Sequence, residues 1–97
     1  MKNIIAHLDK AFESRVRLGI MSMLMVNDSV DFKTIKETLD VSDGNLASHL
    51  AALEKKEYII VTKQFIGKKP NTSYSLSKEG RLAFKKHLQA LEDLIGK

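Results

Sequence analysis

Just past the middle of the chain, the spacing of apolar residues changes from a helical to an alternating pattern, and this limits the possible folds. Before the change, Leu46, Leu50 and Leu53 recur at intervals of four and three, which is the spacing of one face of an α-helix. After it, residues 58–66 are rich in β-branched and aromatic side chains, which favour a strand. The sequence therefore predicts a helix over 42–56 that leads directly into a strand.

The strand is the first half of a predicted β-hairpin. Residues 67–72, GKKPNT, have the composition of a turn, and residues 73–77, SYSLS, return as a second strand. No acidic residue occurs from 58 to 72. The hairpin carries three lysines instead, Lys63, Lys68 and Lys69.

Apolar spacing and capping residues predict the remaining elements. Helices are expected over residues 3–12, 14–26, 33–39 and 77–95, with a short extended piece at 30–32. Serines stand where a helix N-terminus needs an acceptor for its unpaired N–H groups: Ser14, Ser42 and Ser77. We predict a single domain over 1–97 that is mainly α with a small β-hairpin (α+β).

This order of elements is that of a winged helix-turn-helix, with the helix-turn-helix over about 33–56 and the wing over about 58–77. In such a fold the second helix enters the DNA major groove, where base edges differ between base pairs. Asn45 is able to pair with adenine, and Ser48 with a base or a phosphate. The other interpretation is an ordinary solvated helix face. The candidate contacts on this helix are Ser42, Asp43, Gly44, Asn45, Ser48, His49 and Lys56.

The hairpin has the composition of a wing that contacts the DNA backbone or the minor groove. Lys63, Lys68 and Lys69 would reach phosphates, and Asn71 and Thr72 add neutral donors over the segment 63–72. Lysines also keep exposed sheet edges soluble, which is the other explanation for them.

Several short motifs together resemble one known group of proteins. They are Asn45-Leu46-Ala47-Ser48-His49-Leu50 with Leu53-Glu54, then Tyr58-Ile59, Tyr74-Ser75-Leu76-Ser77 and Gly80-Arg81. In order and spacing, over roughly residues 12–90, they are similar to winged-helix regulators of the MarR/ArsR type, in the compact single-domain branch. The resemblance implies a dimer, with Asn45, Ser48 and His49 on the recognition helix and Lys68 and Lys69 at the wing tip.

The chain departs from this group at two positions. Related sequences often have glycine where this chain has Glu57, so the end of the helix needs another cap. Asp43 places a carboxylate near the front of the recognition helix, where it disfavours phosphates but is able to accept from a cytosine amino group.

The terminal helices carry more apolar residues than a small core needs, which predicts a two-fold dimer. Packing of the two helices on each other within one chain is the alternative. A dimer would place its recognition helices about 34 Å apart, on an inverted repeat in double-stranded DNA. The candidate interface residues are Ile4, Ile5, Leu8, Phe12, Leu88, Leu91, Leu94 and Ile95.

Composition and motifs favour a binding protein over an enzyme. The net charge is +4, there are no cysteines, and no catalytic or nucleotide-binding motif occurs. His7, His49 and His87 lie on separate predicted elements, and His87 is expected at the surface. We therefore expect no metal, no cofactor and a cytoplasmic protein. The competing function is a winged helix that contacts only other proteins.

Overall fold

The structure, a computed structural model, describes residues 4–96. The helices and strands are α1 Arg15–Met25, β1 Val30–Asp31, α2 Phe32–Leu39, α3 Asp43–Lys55, β2 Ile59–Ile66, β3 Lys69–Leu76 and α4 Lys78–Leu94. Two short 3-10 helices, Ile4–His7 and Lys10–Phe12, precede them. This mainly α architecture with a small sheet confirms the predicted fold class. None of the helices within the described range is long and apolar enough to span a membrane.

Each α-helix begins at a side chain that caps its first turn. Ser14, Ser42 and Ser77 accept hydrogen bonds from backbone N–H groups two or three residues later, as predicted. The cap of α2 is Asp31, whose carboxylate accepts from the N–H of Thr34 at 2.8 Å. Hydrogen bonds to Thr34 lower the pKa of Asp31, because they favour its charged form.

The sheet is antiparallel, in the order β1-β3-β2. The turn between β2 and β3 is shorter than predicted, since Gly67 and Lys68 alone connect the strands and β3 resumes at Lys69. Gly67 has a φ of 65°, which a side chain would disfavour. Pro70 fits in β3 because it pairs with Phe65, one position beyond the hydrogen-bonded pair that flanks a two-residue turn.

The core lies between α1, α2, α3 and the inner face of the sheet. The three leucines of α3 are buried in it, which confirms the predicted rotation of this helix. Their largest fully buried neighbours are Phe12, Ile20, Met21, Leu24 and Ile35.

The helix predicted over 3–12 is not continuous. It is divided into the two 3-10 helices because Asp9 caps the second, its carboxylate accepting from the N–H of Ala11 at 2.9 Å. The same carboxylate accepts from the hydroxyl of Tyr58 at 2.7 Å. Burial, followed by this bond to Asp9, raises the pKa of Tyr58 to about 12, so its hydroxyl stays a donor.

The expectation that α3 needs another cap because it lacks a glycine is wrong, since Glu57 itself forms the left-handed cap. Glu57 is left-handed with a φ of 64°, its N–H donates to Glu54, and the N–H of Tyr58 donates to Leu53. These two bonds form a Schellman motif with glutamate where glycine is usual. The carbonyl of Glu57 also accepts from the Ser77 hydroxyl at 2.6 Å, which fixes the start of α4 against this junction.

Gly80 allows α4 to pack closely on the same junction. A Cβ at this position would lie 1.9 Å from the carbonyl oxygen of Tyr58, a backbone atom that has no room to move. Any side chain would therefore displace α4, which explains why a glycine stands in the first turn of a helix.

Candidate nucleic-acid interface

The face of α3 opposite its buried leucines is open to solvent within the chain. Gly44, Asn45 and Ser48 are exposed on it, and Ser42 is exposed just before it. Lys55 follows Ser48 by two helical turns and extends this face with a positive charge. Lys55 was not among the residues predicted from the sequence, although its spacing of seven from Ser48 indicates a shared helix face.

His49 lies at the edge of this face, turned towards α1. It is half-buried, and its Nδ1 accepts a hydrogen bond of 3.0 Å from the Nε of Arg17. Burial, followed by the charge of Arg17, lowers the pKa of His49, so the ring stays neutral. The pair brings Arg17 beside α3, a neighbour that the sequence could not reveal because 32 residues separate the two.

The carboxylate of Asp43 is partly neutralised. Its Oδ1 lies 2.9 Å from the Nζ of Lys36, in a pair that is exposed on both sides. An exposed pair contributes little to stability. It nevertheless places a positive charge of α2 next to the front of α3, where phosphates would otherwise meet a lone carboxylate.

Lys56 is separated from the other candidate residues. Its Nζ lies 5.8 Å from the ring centroid of Tyr58, and it borders a depression that also includes Lys10 and Lys86. That depression lies between the N-terminal segment and α4. The structure thus places Lys56 on the side of the terminal elements and does not bring it together with the wing.

An open groove of about 570 Å³ separates α3 from the hairpin. Ala47 and Ala51 lie on its α3 wall together with Leu50 and the acidic Glu54. Lys63 lines the opposite wall, together with the predicted donors Asn71 and Thr72. Of the candidate contacts, those of the hairpin line this groove and those of α3 do not, and the carboxylate of Asp31 also borders it.

The end of the hairpin is fully exposed and combines charge with apolar surface. Lys63, Lys68 and Lys69 are all exposed. Between them along the chain, Phe65 is 72% exposed and Ile66 is 62% exposed. The strand pattern identified these two residues as strand formers but not as solvent-facing side chains.

Most of the candidate dimer residues are exposed within one chain. Ile5, Leu88, Leu91, Leu94 and Ile95 are exposed, and Leu8 is half-buried. The side chain of Ile4 lies outside the described residues. The first 3-10 helix does contact α4 within the chain, yet these side chains remain in solvent.

Phe12 is instead part of the core, with 0% exposure. Its ring packs against Phe84 at a centroid distance of 5.2 Å and against Tyr58 at 5.5 Å. His87 is also buried rather than at the surface, because its Nδ1 accepts from the N–H of Asp9 at 3.0 Å and its ring packs on Phe12.

Comparisons with known proteins agree with this geometry. A family model described as a winged helix DNA-binding domain matches residues 16–95. The chain is 33% identical over 85 residues to an uncharacterised protein of Methanocaldococcus jannaschii, covering 88% of this chain and 92% of that protein. The transcriptional regulator homologue of Pyrococcus horikoshii superposes with a TM-score of 0.87 at 29% identity, covering 97% of this chain and 95% of that one. HlyU of Vibrio cholerae gives 0.64 at 25% identity, covering 88% and 91%.

Proposed function

The chain belongs to the family of winged helix DNA-binding domains, and on that premise we propose that it is a homodimeric transcriptional regulator that binds double-stranded DNA sequence-specifically. One observation carries the proposal. The polar face of α3 opposite its buried leucines is exposed, and the hairpin that lies beside this helix, across an open groove, carries exposed lysines. A duplex presents a matching pair of features, a major groove wide enough for a helix and phosphates on either side of it.

In this proposal α3 enters the major groove. The absence of a side chain at Gly44 allows close approach at the N-terminal end of the helix, where recognition helices contact base edges. Asn45 and Ser48 read bases there, and Lys55 binds a phosphate further along. Arg17 and Lys36 provide positive charge beside the helix.

The wing binds the DNA backbone or the minor groove through Lys63, Lys68 and Lys69. Each lysine that neutralises a phosphate releases condensed counterions, so the affinity falls as the salt concentration rises. These contacts position the protein on the duplex and do not select its sequence.

The dimer forms through the exposed apolar side chains of the terminal elements. The face of α4 that buries Phe84 and His87 continues towards the C-terminus as Leu91 and Leu94, which are exposed within one chain. A second copy would cover this stripe, and a two-fold axis would direct the protein to an inverted repeat with recognition helices about 34 Å apart.

The test begins with selection of bound duplexes from a random pool, followed by fluorescence anisotropy over a series of salt concentrations. We expect Lys68→Ala with Lys69→Ala to weaken binding to every duplex and to reduce the salt slope by about two, one for each lysine. The matched control is Lys85→Ala with Lys86→Ala, which removes the same charge from exposed positions on α4.

Equal salt slopes for the two double variants would remove the wing from the mechanism. If the unmodified protein shows no salt-dependent binding to any duplex, the domain is a protein-protein interaction module instead.

A further inference from the structure

The tip of the hairpin exposes apolar side chains that the fold does not use. Phe65 and Ile66 are 72% and 62% exposed, although burying a side chain of this size is favourable. Because successive residues of a strand point to opposite faces, the two side chains lie on different sides of the hairpin. Each has to be explained by its own surroundings.

Phe65 lies on the face of the hairpin that is directed towards α3. It shares this face with Val61 and Lys63, which precede it by four and two residues and both line the groove. Ile66 belongs to the other face and borders a separate depression next to α1 and β1. Phe65 therefore continues, beyond Lys63, the strand face that lines this groove.

Pro70 supports Phe65 from the neighbouring strand. The two residues are directly paired across the hairpin, at a position where cross-strand side chains are close. The ring of proline fixes its own backbone angle, and the two-residue turn holds the strands together one pair further on. Phe65 thus stands on a stiff base, one pair before the pair that flanks the turn.

We propose that Phe65, backed by Pro70, enters the minor groove of duplex DNA as an apolar wedge. This inference rests on the proposed DNA binding and adds a residue that determines specificity through DNA shape. Phenylalanine is one of the side chains that proteins insert between base steps from the minor groove.

The positive charge of the hairpin favours DNA over a protein as the partner of this wedge. Lys63, Lys68 and Lys69 are its charged neighbours along the hairpin, and residues 58–72 contain no acidic side chain. The two carboxylates that line the groove, Asp31 and Glu54, belong to β1 and α3. Base pairs that are unstacked from the minor groove expose apolar faces between two rows of phosphates, so one partner satisfies both the aromatic ring and the lysines. A second copy of the hairpin would instead bring lysine against lysine.

The wedge makes the flanks of the binding site selective. Pyrimidine–purine steps such as TA and CA unstack most easily, so a wedge favours them without any hydrogen bond to a base. Selected duplexes should therefore contain such a step under the wing, outside the bases that α3 reads.

The experiment uses a selected duplex with 2-aminopurine placed in turn at the steps under the wing, and donor and acceptor dyes at its ends. The protein is expected to increase the 2-aminopurine emission at one step and to shorten the end-to-end distance. Phe65→Ala should abolish both effects and weaken binding by about tenfold. Ile66→Ala, a change of similar exposure on the opposite face, should preserve both effects. Circular dichroism melting checks that both variants fold.

Three outcomes would overturn the wedge. Binding of the unmodified protein without a change in emission or distance would leave DNA binding intact but refute insertion. The same holds if Phe65→Ala behaves like the unmodified protein. A change in sedimentation behaviour caused by Phe65→Ala would assign the side chain to a protein contact. Failure of the unmodified protein to bind any duplex is a different result, because it removes the proposed function itself.

Discussion

Two surfaces of the molecule expose large apolar side chains, and their surroundings differ. At the hairpin tip, the charged residues that neighbour Phe65 and Ile66 along the chain are all lysines, namely Lys63, Lys68 and Lys69. On α4, the apolar stripe is accompanied by residues of both signs, including Lys85, Lys86, Glu92 and Asp93. Single-sign positive charge suits a polyanion, whereas mixed charge suits a second copy of the same surface.

The two surfaces also differ in shape, and this difference favours the same two kinds of partner as the difference in charge. The stripe on α4 follows helical spacing on the longest helix of the chain and continues a face that is already buried closer to the N-terminus. The hairpin tip presents two side chains on opposite faces, which is too little area for a stable protein interface. Size and charge together thus favour a protein contact at α4 and a DNA contact at the hairpin.

The largest expected effect comes from placing charged residues in the apolar surface of α4. Leu91 and Leu94 are 40% and 47% exposed, so glutamate at both positions is tolerated by the fold of one chain. We expect Leu91→Glu with Leu94→Glu to give a monomer in sedimentation. Affinity for an inverted repeat should fall by about a hundredfold, because the second half-site is no longer bound by the same molecule.

The control for this variant is Leu82→Glu. Leu82 is also exposed on α4, and nine residues, or two and a half turns, place it opposite Leu91. It should leave both the dimer and the affinity unchanged. A double variant that remains dimeric would assign the dimer contact to another surface.

A smaller effect is expected to distinguish the base contacts of α3 from the phosphate contacts of the wing. Asn45→Ala or Ser48→Ala should remove about 1–3 kcal/mol of discrimination between bases, since each removes a contact to a base edge. Binding to unrelated duplexes should change much less, because phosphate contacts remain.

The measurement is a repeated selection from a random pool with each variant, alongside the variant that lacks Lys68 and Lys69. The lysine variant should return the parental consensus at lower affinity. If the Asn45 and Ser48 variants also return that consensus, α3 does not read bases through these side chains.

The sequence predicted those features that depend on local rules. The rotation of α3 follows from the spacing of three leucines, and the starts of three helices follow from serine caps. The position of the hairpin follows from Gly67 and the change in apolar spacing. Each of these features depends on residues within a few positions of one another, so the order of residues in the sequence is enough to predict it.

The features that the sequence did not reveal depend on contacts between distant segments. Phe12 enters the core because Tyr58 and Phe84 provide a pocket for its ring, and His49 turns to α1 because Arg17 is there. The N-terminal segment leaves helical geometry where Asp9 reaches Tyr58. Apolar spacing alone did not show that the chain itself would use Phe12 in its core.

The smallest expected effect is at Glu57, where the end of α3 meets the start of α4. A substitution there should change neither the α4 surface nor the hairpin tip. Glu57 adopts a left-handed conformation that glycine adopts without steric strain, while its carbonyl and neighbouring N–H groups make the bonds of the cap. Glu57→Gly keeps every one of these backbone bonds. We expect a gain of about 1 kcal/mol in the free energy of unfolding, measured by urea denaturation.

Asp40→Gly is the matched control, because Asp40 is left-handed at the end of α2 with a φ of 54°. Aspartate tolerates this conformation better than glutamate does, so its gain should be smaller. Sedimentation and DNA affinity of Glu57→Gly should equal those of the parent, since the substitution touches neither apolar surface. If Glu57→Gly alters either property, the junction couples the α4 surface to the wing, and the two surfaces are not independent.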